Sequence, residues 1–319
     1  MNILHVADLF EQRQKSLDLT LAAGQAGLTR EITSADISSP GLVLAGFTDR
    51  FPRGRMQVLG ETEVMYLRSM DADRRRGVLG EFLGSEVPVV FVTKGLEPPP
   101  ELLDLAEQRS IPVVRSTLKT GEFYRRIKPF LEEEFAPSTA IHGSLADVYG
   151  VGLLFIGASG IGKSECVLDL VERGHRLVAD DVVLVRRRGF DVLIGQAHEQ
   201  QQHHMEIRGI GIIDVRALFG VRAVRQQKRI EVVVQLEHWR ESASYDRTGL
   251  ERDTMAILDT TIPKVVIPLN PGKNITVISE VVAMDHLLRY AGVDTARLFD
   301  QNLRRLMQPV KEYLEEDYE

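Results

Sequence analysis

The residues with the clearest chemistry lie in one glycine-rich segment, GASGIGKS, between Gly157 and Ser164. The segment matches the pattern G-x-x-x-x-G-K-[ST] with no mismatch. Glycines let backbone N–H groups turn inward around a phosphate, a lysine reaches the terminal phosphates, and a serine hydroxyl can bind Mg²⁺. The sequence therefore predicts a phosphate-binding loop for a nucleotide, formed by Gly157, Ala158, Ser159, Gly160, Ile161, Gly162, Lys163 and Ser164.

Two adjacent carboxylates, Asp180 and Asp181, interrupt an apolar strand-like run that follows this loop. Carboxylates inside a strand are costly unless they meet a metal, a cation or a proton to transfer. One aspartate can hold Mg²⁺ or its water, and the other can accept the proton of an attacking hydroxyl. Because adjacent carboxylates resist ionising together, we expect the neighbour to raise the pKa of one of them. The alternative is a strand end that turns into solvent.

Other charged residues are weaker candidates on sequence grounds. Glu206 and Arg208 lie on one face of a possible strand, where a solvated ion pair is the alternative interpretation. Arg247 lies in the polar segment ESASYDRTG, which reads as a loop, yet a mobile arginine suits a phosphoryl transition state. His142 precedes the strand that leads into the loop, and a lone histidine more often packs or caps than catalyses.

Strands and helices must position these residues, and the apolar patterns predict an α/β fold. In the first half, strands at 87–95 and 111–117 alternate with helices, which indicates a βαβ unit with a parallel sheet. In the second half, a strand at 151–156, the loop and a helix at 165–172 open a unit rich in strands. We predict that the apolar run at 274–282 is one of those strands.

The boundary between the two halves is predicted from composition. The segment 133–139 combines acidic residues with a proline, and we take it as a linker. An N-terminal α/β domain of βαβ type would then occupy residues 1–132, and its role is not revealed by any motif. A C-terminal P-loop domain with a sheet-rich core would occupy residues 140–319.

Composition excludes several classes of protein. The chain of 319 residues carries a formal net charge of −7, which argues against a nucleic-acid-binding protein. No apolar run has the length of a signal peptide or of a membrane span, so we expect a soluble cytoplasmic protein. Cys166 is the only cysteine, which excludes an intramolecular disulfide. We interpret it as a buried small hydrophobe; if accessible, it would report nucleotide in the loop.

Several longer segments, taken in order, resemble one known family, the HPr kinase/phosphorylases. These bifunctional bacterial enzymes phosphorylate a serine of the phosphocarrier protein HPr and remove that phosphate by phosphorolysis. The matching segments are FPRGRMQVLGETEV, VPVVFVTKGLEPPPELLDLAEQRSIPVVRS, IHGSLADVYGVGLLFIGASGIGKSE, ERGHRLVADDVV, EIRGIGIIDVRALFG, YDRTGL and IPLNPGKNITVISEVVAM. They are distributed from residue 51 to residue 284, across most of the chain, and the resemblance implies a P-loop kinase domain in the C-terminal half.

The resemblance also implies roles for individual residues. Ser164 and Glu206 would be magnesium ligands. The segment 205–214 would be catalytic in both reactions, and the segment 268–273 would be needed for dephosphorylation. The resemblance makes His142, Lys163, Asp181 and Arg247 active-site residues. We add two more residues to this set: Arg208, and Asp180 as a helper near the metal. ATP or pyrophosphate would be the phosphoryl donor, and HPr would be the protein substrate. The resemblance further implies a hexamer with HPr docked on C-terminal helices within 284–313, without nucleic acid or membrane.

The sequence departs from the family pattern at two places. Ser144 follows His-Gly where the family usually has valine, and PLNPGKN, with Asn270 and Lys273, replaces a PxRPGRN-like stretch. A lysine lacks the bidentate fork of an arginine, so the second departure bears on the efficiency of phosphorolysis.

Two other functions compete with this interpretation. One is a P-loop kinase of a small-molecule substrate, and the other is a non-catalytic nucleotide sensor. A sensor has no need for Asp180, Asp181 and Glu206 together, and a small-molecule kinase does not explain the segment EIRGIGIIDVRALFG.

Overall fold

The computed structural model describes residues 3–47, 51, 53–240, 249–250, 253–270 and 272–316, with side chains described as far as residue 307. The chain divides into two compact units, Met1–Ala136 and Pro137–Glu319. This division falls inside the segment 133–139. A helix continues to Glu134 and a strand begins at Ser138, so only residues 135–137 of that segment lie outside regular elements.

The N-terminal unit alternates short strands with helices. Its elements are β1 (Leu4–His5), α1 (Val6–Leu17), β2 (Leu19–Ala23), β3 (Glu31–Ile32), β4 (Ile37–Ser38), α2 (Gly41–Leu44), β5 (Met56–Leu59), α3 (Glu61–Arg68), α4 (Ala72–Leu83), β6 (Val90–Val92), α5 (Pro100–Gln108), β7 (Val113–Ser116) and α6 (Thr120–Glu134). A five-stranded sheet has the order β2-β7-β6-β5-β4. Strands β4 to β7 are parallel, which confirms the predicted βαβ arrangement.

The pattern of apolar residues explains this sheet. Val90, Phe91 and Val92 of β6 are fully buried, as expected for a parallel strand covered by helices on both faces. One core packs on α3, α4 and α5, and a second packs on α1 and α6. Helix α5 begins at Pro100, in the first position of a helix, where the missing N–H has no partner to lose.

The C-terminal unit is richer in strands. Its elements are β8 (Ser138–His142), β9 (Ser144–Val148), β10 (Val151–Gly157), α7 (Lys163–Glu172), β11 (Arg176–Ala179), β12 (Val182–Arg188), β13 (Val192–Ala197), β14 (His204–Ile207), β15 (Gly211–Asp214), α8 (Val215–Phe219), β16 (Gln227–Arg229), β17 (Val232–His238), β18 (Asp253–Ile257), β19 (Thr260–Leu269), α9 (Ile275–Tyr290) and α10 (Thr295–Glu316).

Two sheets of this unit position the candidate residues. A six-stranded sheet has the order β11-β9-β10-β17-β19-β18, and a four-stranded sheet has the order β16-β13-β12-β8. In the first sheet β10, β17 and β19 are parallel, and the phosphate loop leaves β10 at its carboxyl end. Helix α7 and helix α9 cover this sheet and share its apolar core. The mixed α/β fold that the sequence predicts is confirmed.

One predicted strand is wrong. The run at 274–282 lies mostly within helix α9, which begins after Asn274, whose side chain accepts a hydrogen bond from the Val277 N–H at 3.0 Å. Its valines and isoleucines favour a strand, but the cap and the packing of Thr276 and Ser279 against α7 favour the helix. Tertiary contacts therefore override the local preference.

The C-terminal helices expose apolar side chains. In α10, Phe299 is 67% exposed and Leu306 is 74% exposed, and none of the described side chains of this helix is buried. The described apolar side chains of α10 are therefore not covered by the rest of the described chain. Among the described residues, no helix is both long enough and apolar enough to cross a membrane.

Candidate active site

The phosphate loop is positioned by β10, whose residues Val151 to Phe155 are buried. At the end of this strand Gly157 has φ 148°, and a Cβ there would come within 2.6 Å of the Leu236 carbonyl oxygen. Gly162, with φ 101°, precedes helix α7 as its N-cap. Glycine is the residue that suits both conformations, so the spacing of the motif matches what the backbone requires.

Lys163 folds back over the loop. Its side chain is buried, and its ammonium group donates hydrogen bonds to the carbonyl oxygens of Gly157 at 3.1 Å and Ala158 at 3.0 Å. Both acceptors are neutral, and no ion pair joins Lys163 to a carboxylate among the described residues. The positive charge is therefore held at the loop by weak acceptors that a phosphate can replace.

Asp180 is a buried carboxylate beside the loop. Its Oδ1 accepts hydrogen bonds from the Ser144 hydroxyl at 2.5 Å and from the Ser164 hydroxyl at 3.0 Å. Burial raises the pKa of the Asp180 carboxyl above its usual value, and the two serine hydrogen bonds oppose that shift. Repulsion from Asp181 also raises the pKa of Asp180, as expected, but it is the smallest of the causes, and burial is the largest.

Asp181 has a different environment from its neighbour. It is exposed, and its Oδ1 lies 3.1 Å from Nδ1 of His142. The single strand predicted around the two aspartates is also wrong, because β11 ends at Ala179 in the six-stranded sheet and β12 begins at Val182 in the four-stranded sheet. Asp181 makes the turn between the sheets with φ 64°, a left-handed conformation that aspartate tolerates.

The tripeptide His142-Gly143-Ser144 contacts both aspartates. The His142 ring contacts the Asp181 carboxylate, the Gly143 N–H donates to the Asp181 carbonyl oxygen at 2.9 Å, and Ser144 contacts Asp180. The sequence placed His142 near the site only through the family resemblance. It marked Ser144 only as a departure from the family, and no motif points to its contact with Asp180.

Glu206 and Arg208 belong to a β-hairpin formed by β14 and β15. Met205 and Ile207 anchor β14 in the interior, whereas Glu206 and Arg208 are exposed, in agreement with the predicted common face. The guanidinium of Arg208 lies beside the phosphate loop: a Cβ at Gly160 would stand 2.5 Å from its Nη1. Glu206 makes no described hydrogen bond or ion pair with Ser164, so the structure brings only Arg208 directly to the loop.

Two other predicted segments are described in part. Arg247 lies outside the described residues. In the segment 268–273, Lys273 donates a hydrogen bond from Nζ to the Pro268 carbonyl oxygen at 2.8 Å. Pro268 and Leu269 end β19, and because β10, β17 and β19 are parallel, this end of β19 lies at the same edge of the sheet as the start of the phosphate loop.

Cys166, on the helix that follows the loop, is buried, which confirms its interpretation as a small buried side chain. Burial raises the pKa of its thiol to about 11, so a fraction of about 10⁻⁴ of the thiol is thiolate at pH 7.

We expect Ellman's reagent to leave the folded protein unmodified at pH 7 and to titrate one thiol after unfolding in guanidinium. Rapid reaction of the folded protein would contradict this burial. Cys166 is therefore unsuited as a reporter of bound nucleotide.

Comparison with models of known families matches both units of the chain. The model described as HPr Serine kinase N terminus matches residues 4–131. The model described as HPr Serine kinase C-terminal domain matches residues 133–303.

Individual relatives are similar over nearly their whole length. An HPr kinase/phosphorylase of Geobacillus kaustophilus is 46% identical over 296 residues, which covers 93% of this chain and 94% of the relative. An HPr kinase/phosphorylase of Bacillus subtilis is 44% identical over 301 residues, which covers 94% of this chain and 96% of the relative. The solved structure of an Hpr(Ser) kinase/phosphatase from Coxiella burnetii is 33% identical, covers 50% of this chain and 98% of its own, and has a TM-score of 0.46.

Proposed function

The chain belongs to the HPr serine kinase family, and from this premise we propose that it phosphorylates a serine of HPr and reverses that step by phosphorolysis. ATP or pyrophosphate is the donor, and inorganic phosphate attacks phosphoseryl-HPr in the reverse direction. The observation that supports this most directly is the contrast between two adjacent aspartates. Asp180 is buried against Ser164, whereas Asp181 is exposed to an incoming protein substrate.

Ser164 and Glu206 carry the oxygen atoms that a magnesium ion prefers as ligands. Ser164 donates its only hydroxyl proton to Asp180, which leaves the lone pairs of its oxygen available to a cation. Glu206 offers a carboxylate from the exposed face of β14, and hard oxygen ligands of this kind suit Mg²⁺. We assign Ser164 and Glu206 as ligands, with Asp180 holding Ser164. Bound Mg²⁺ would neutralise negative charge on the transferring phosphates.

In the kinase direction the protein supplies positive charge and a base. Lys163 exchanges its two loop carbonyls for terminal phosphate oxygens of the donor, and Arg208 and Arg247 neutralise charge on the transferring group. The hydroxyl oxygen of the HPr serine attacks the γ-phosphorus of ATP, and the bond from that phosphorus to the leaving ADP breaks. Asp181 accepts the proton of the serine hydroxyl in this step. Nδ1 of His142 lies 3.1 Å from Oδ1 of Asp181, and we assign His142 the role of orienting that carboxylate.

Phosphorolysis uses the same groups in reverse. An oxygen of inorganic phosphate attacks the phosphorus of phosphoserine, the bond from phosphorus to the serine oxygen breaks, and pyrophosphate forms. Asp181, now protonated, returns its proton to the leaving serine oxygen. One carboxyl therefore serves both directions.

The test is one assay on the purified chain. It is incubated with HPr and either Mg-ATP or Mg-pyrophosphate, and the mass of HPr is examined for one added phosphoryl group on serine. A second arm supplies phosphoseryl-HPr and inorganic phosphate and measures released pyrophosphate. ATP binding without transfer to HPr would favour a nucleotide sensor, and transfer to a small acceptor instead would favour a small-molecule kinase.

Lys273→Arg is expected to change the balance between the two reactions. Lys273 presents one ammonium group in the 268–273 segment, and an arginine would offer phosphate a bidentate fork. We expect phosphorolysis to become roughly threefold to tenfold faster, the effect of one added hydrogen bond, with little change in the kinase rate. Lys264→Arg in β19 is the matched control. Equal changes in both rates for Lys273→Arg would contradict this role.

We propose that the chain assembles with copies of itself, as the hexamer that the family resemblance implies. Exposed apolar side chains on α9 and α10 support an oligomer, because association would remove them from water. They include Val281, Leu288, Tyr290, Phe299, Leu306 and Met307. Light scattering would measure the mass, and a monomer at micromolar concentration would contradict the assembly.

We place the reaction in the cytoplasm, where the free thiol of Cys166 stays reduced.

A further inference from the structure

Ser144 contacts the buried aspartate of the site from a strand that carries no recognised motif. It is the first residue of β9 and is fully buried. Its hydroxyl donates to Oδ1 of Asp180 at 2.5 Å, and the same oxygen accepts the Ser164 hydroxyl at 3.0 Å. One carboxylate oxygen is therefore held between a hydroxyl from the sheet and a hydroxyl from the first turn of α7.

The backbone of Ser144 is held on both sides. Strand β9 lies between β11 and β10, and Ser144 pairs with Phe155 of β10 just before the phosphate loop. The preceding Gly143 donates its N–H to Asp181, and a Cβ on Gly143 would stand 2.4 Å from the Phe155 carbonyl oxygen. The Ser144 hydroxyl is therefore a rigid reference point, whereas Ser164 is half-buried at the edge of an exposed loop.

We propose that Ser144 is a positioning residue for the magnesium site, acting through Asp180. Its hydroxyl holds the Asp180 carboxylate in the orientation that accepts the Ser164 proton, and this contact directs the free lone pairs of Ser164 toward the cation. Partners of metal ligands commonly set metal affinity by holding the ligand in one orientation. The inference rests on the proposed function, since that function assigns Ser164 as a magnesium ligand.

The alternative role for Ser144 is packing alone, and a pair of variants separates the two. Threonine and valine have the same shape, but only threonine carries a hydroxyl that can reach Asp180. Ser144→Thr and Ser144→Val therefore add the same bulk to the buried strand and differ in the hydrogen bond. Ser144→Ala, which removes the oxygen without adding bulk, gives a second comparison against the wild-type chain if the larger residues prevent folding.

The readout is nucleotide binding by calorimetry, with ATP titrated into the full chain in EDTA and at a series of Mg²⁺ concentrations. For Ser144→Val we expect an apparent Mg²⁺ affinity about tenfold weaker than that of Ser144→Thr, with equal ATP affinities in EDTA. Ser144→Ala should weaken the Mg²⁺ affinity relative to wild type by a similar factor. Thermal unfolding of each variant checks that the fold persists.

Three results would overturn the inference. Equal Mg²⁺ dependence of the threonine and valine variants would show that the hydroxyl does not position the metal ligand. Weaker ATP binding of the valine variant in EDTA, by the same factor as in Mg²⁺, would assign Ser144 to packing. Absence of Mg-ATP binding by the wild-type chain would overturn the proposed function and this inference with it, which distinguishes that failure from the other two.

Discussion

Asp181→Asn is expected to slow phosphoryl transfer in both directions by about 10²- to 10⁴-fold while ATP binding persists. The substitution removes the carboxylate that takes and returns the serine proton, but it keeps the size of the side chain. Asparagine tolerates the left-handed backbone at this position, where φ is 64°, so the turn between the two sheets should survive. Initial rates of HPr phosphorylation and of pyrophosphate release, with ATP titrated in parallel, measure the effect.

Asp259→Asn is a matched control for this variant. Asp259 is also an aspartate with positive φ, 61°, and its side chain is 94% exposed. It precedes β19, at the opposite end of that strand from the segment 268–273, and its contact is with Arg187. We expect wild-type rates from this control. Wild-type activity of Asp181→Asn in either direction would mean that another group handles the serine proton in that direction.

Lys163→Ala is expected to weaken ATP binding itself by about 10- to 100-fold, and transfer should fall at least as much. The variant removes the ammonium that lies against Gly157 and Ala158 at the start of the loop. A hydrogen bond to a charged phosphate is stronger than one to a neutral carbonyl. Removing the ammonium group therefore destabilises the ATP complex more than the free protein, and ATP affinity falls. Calorimetric titration of ATP, with and without Mg²⁺, measures the change.

Lys264→Ala provides the comparison for this variant. Lys264 lies in β19 of the same sheet and forms an ion pair with Asp253 at 3.5 Å. Removing it changes the net charge by the same amount as Lys163→Ala but leaves the loop intact. We expect ATP affinity to stay at the wild-type level. Unchanged ATP affinity in Lys163→Ala would remove Lys163 from the phosphate contacts.

The phosphate loop could be predicted from the sequence because its requirements are local. A buried strand, a left-handed glycine before α7, and a helix that begins at Lys163 are all set within the segment 151–172. The same holds for the parallel sheet of the N-terminal unit, where each apolar strand is followed by an amphipathic helix. These elements are determined by neighbouring residues, so their prediction does not depend on contacts with distant parts of the chain.

The first part of the helix at 275–290, up to residue 282, could not be predicted in this way. Its valines and isoleucines read as a strand, and the preference was reversed by Asn274 as the cap and by polar contacts with α7. Those contacts join residues more than a hundred positions apart, such as Thr276 and Asp169. No local window contains both partners.

Asp180 and Asp181 show most clearly which features the sequence does not predict. By itself it determined that two carboxylates follow a phosphate loop, and hence that acid–base and metal chemistry are available. Only the tertiary structure decided their different environments, because the chain leaves one sheet and enters another at Asp181. That turn buries Asp180 between Ser144 and Ser164 and exposes Asp181 beside His142. The burial and the hydrogen bonds of these two carboxylates depend on strands that are far apart in the sequence and pack together only in the folded chain. The local sequence around the aspartates does not contain that information.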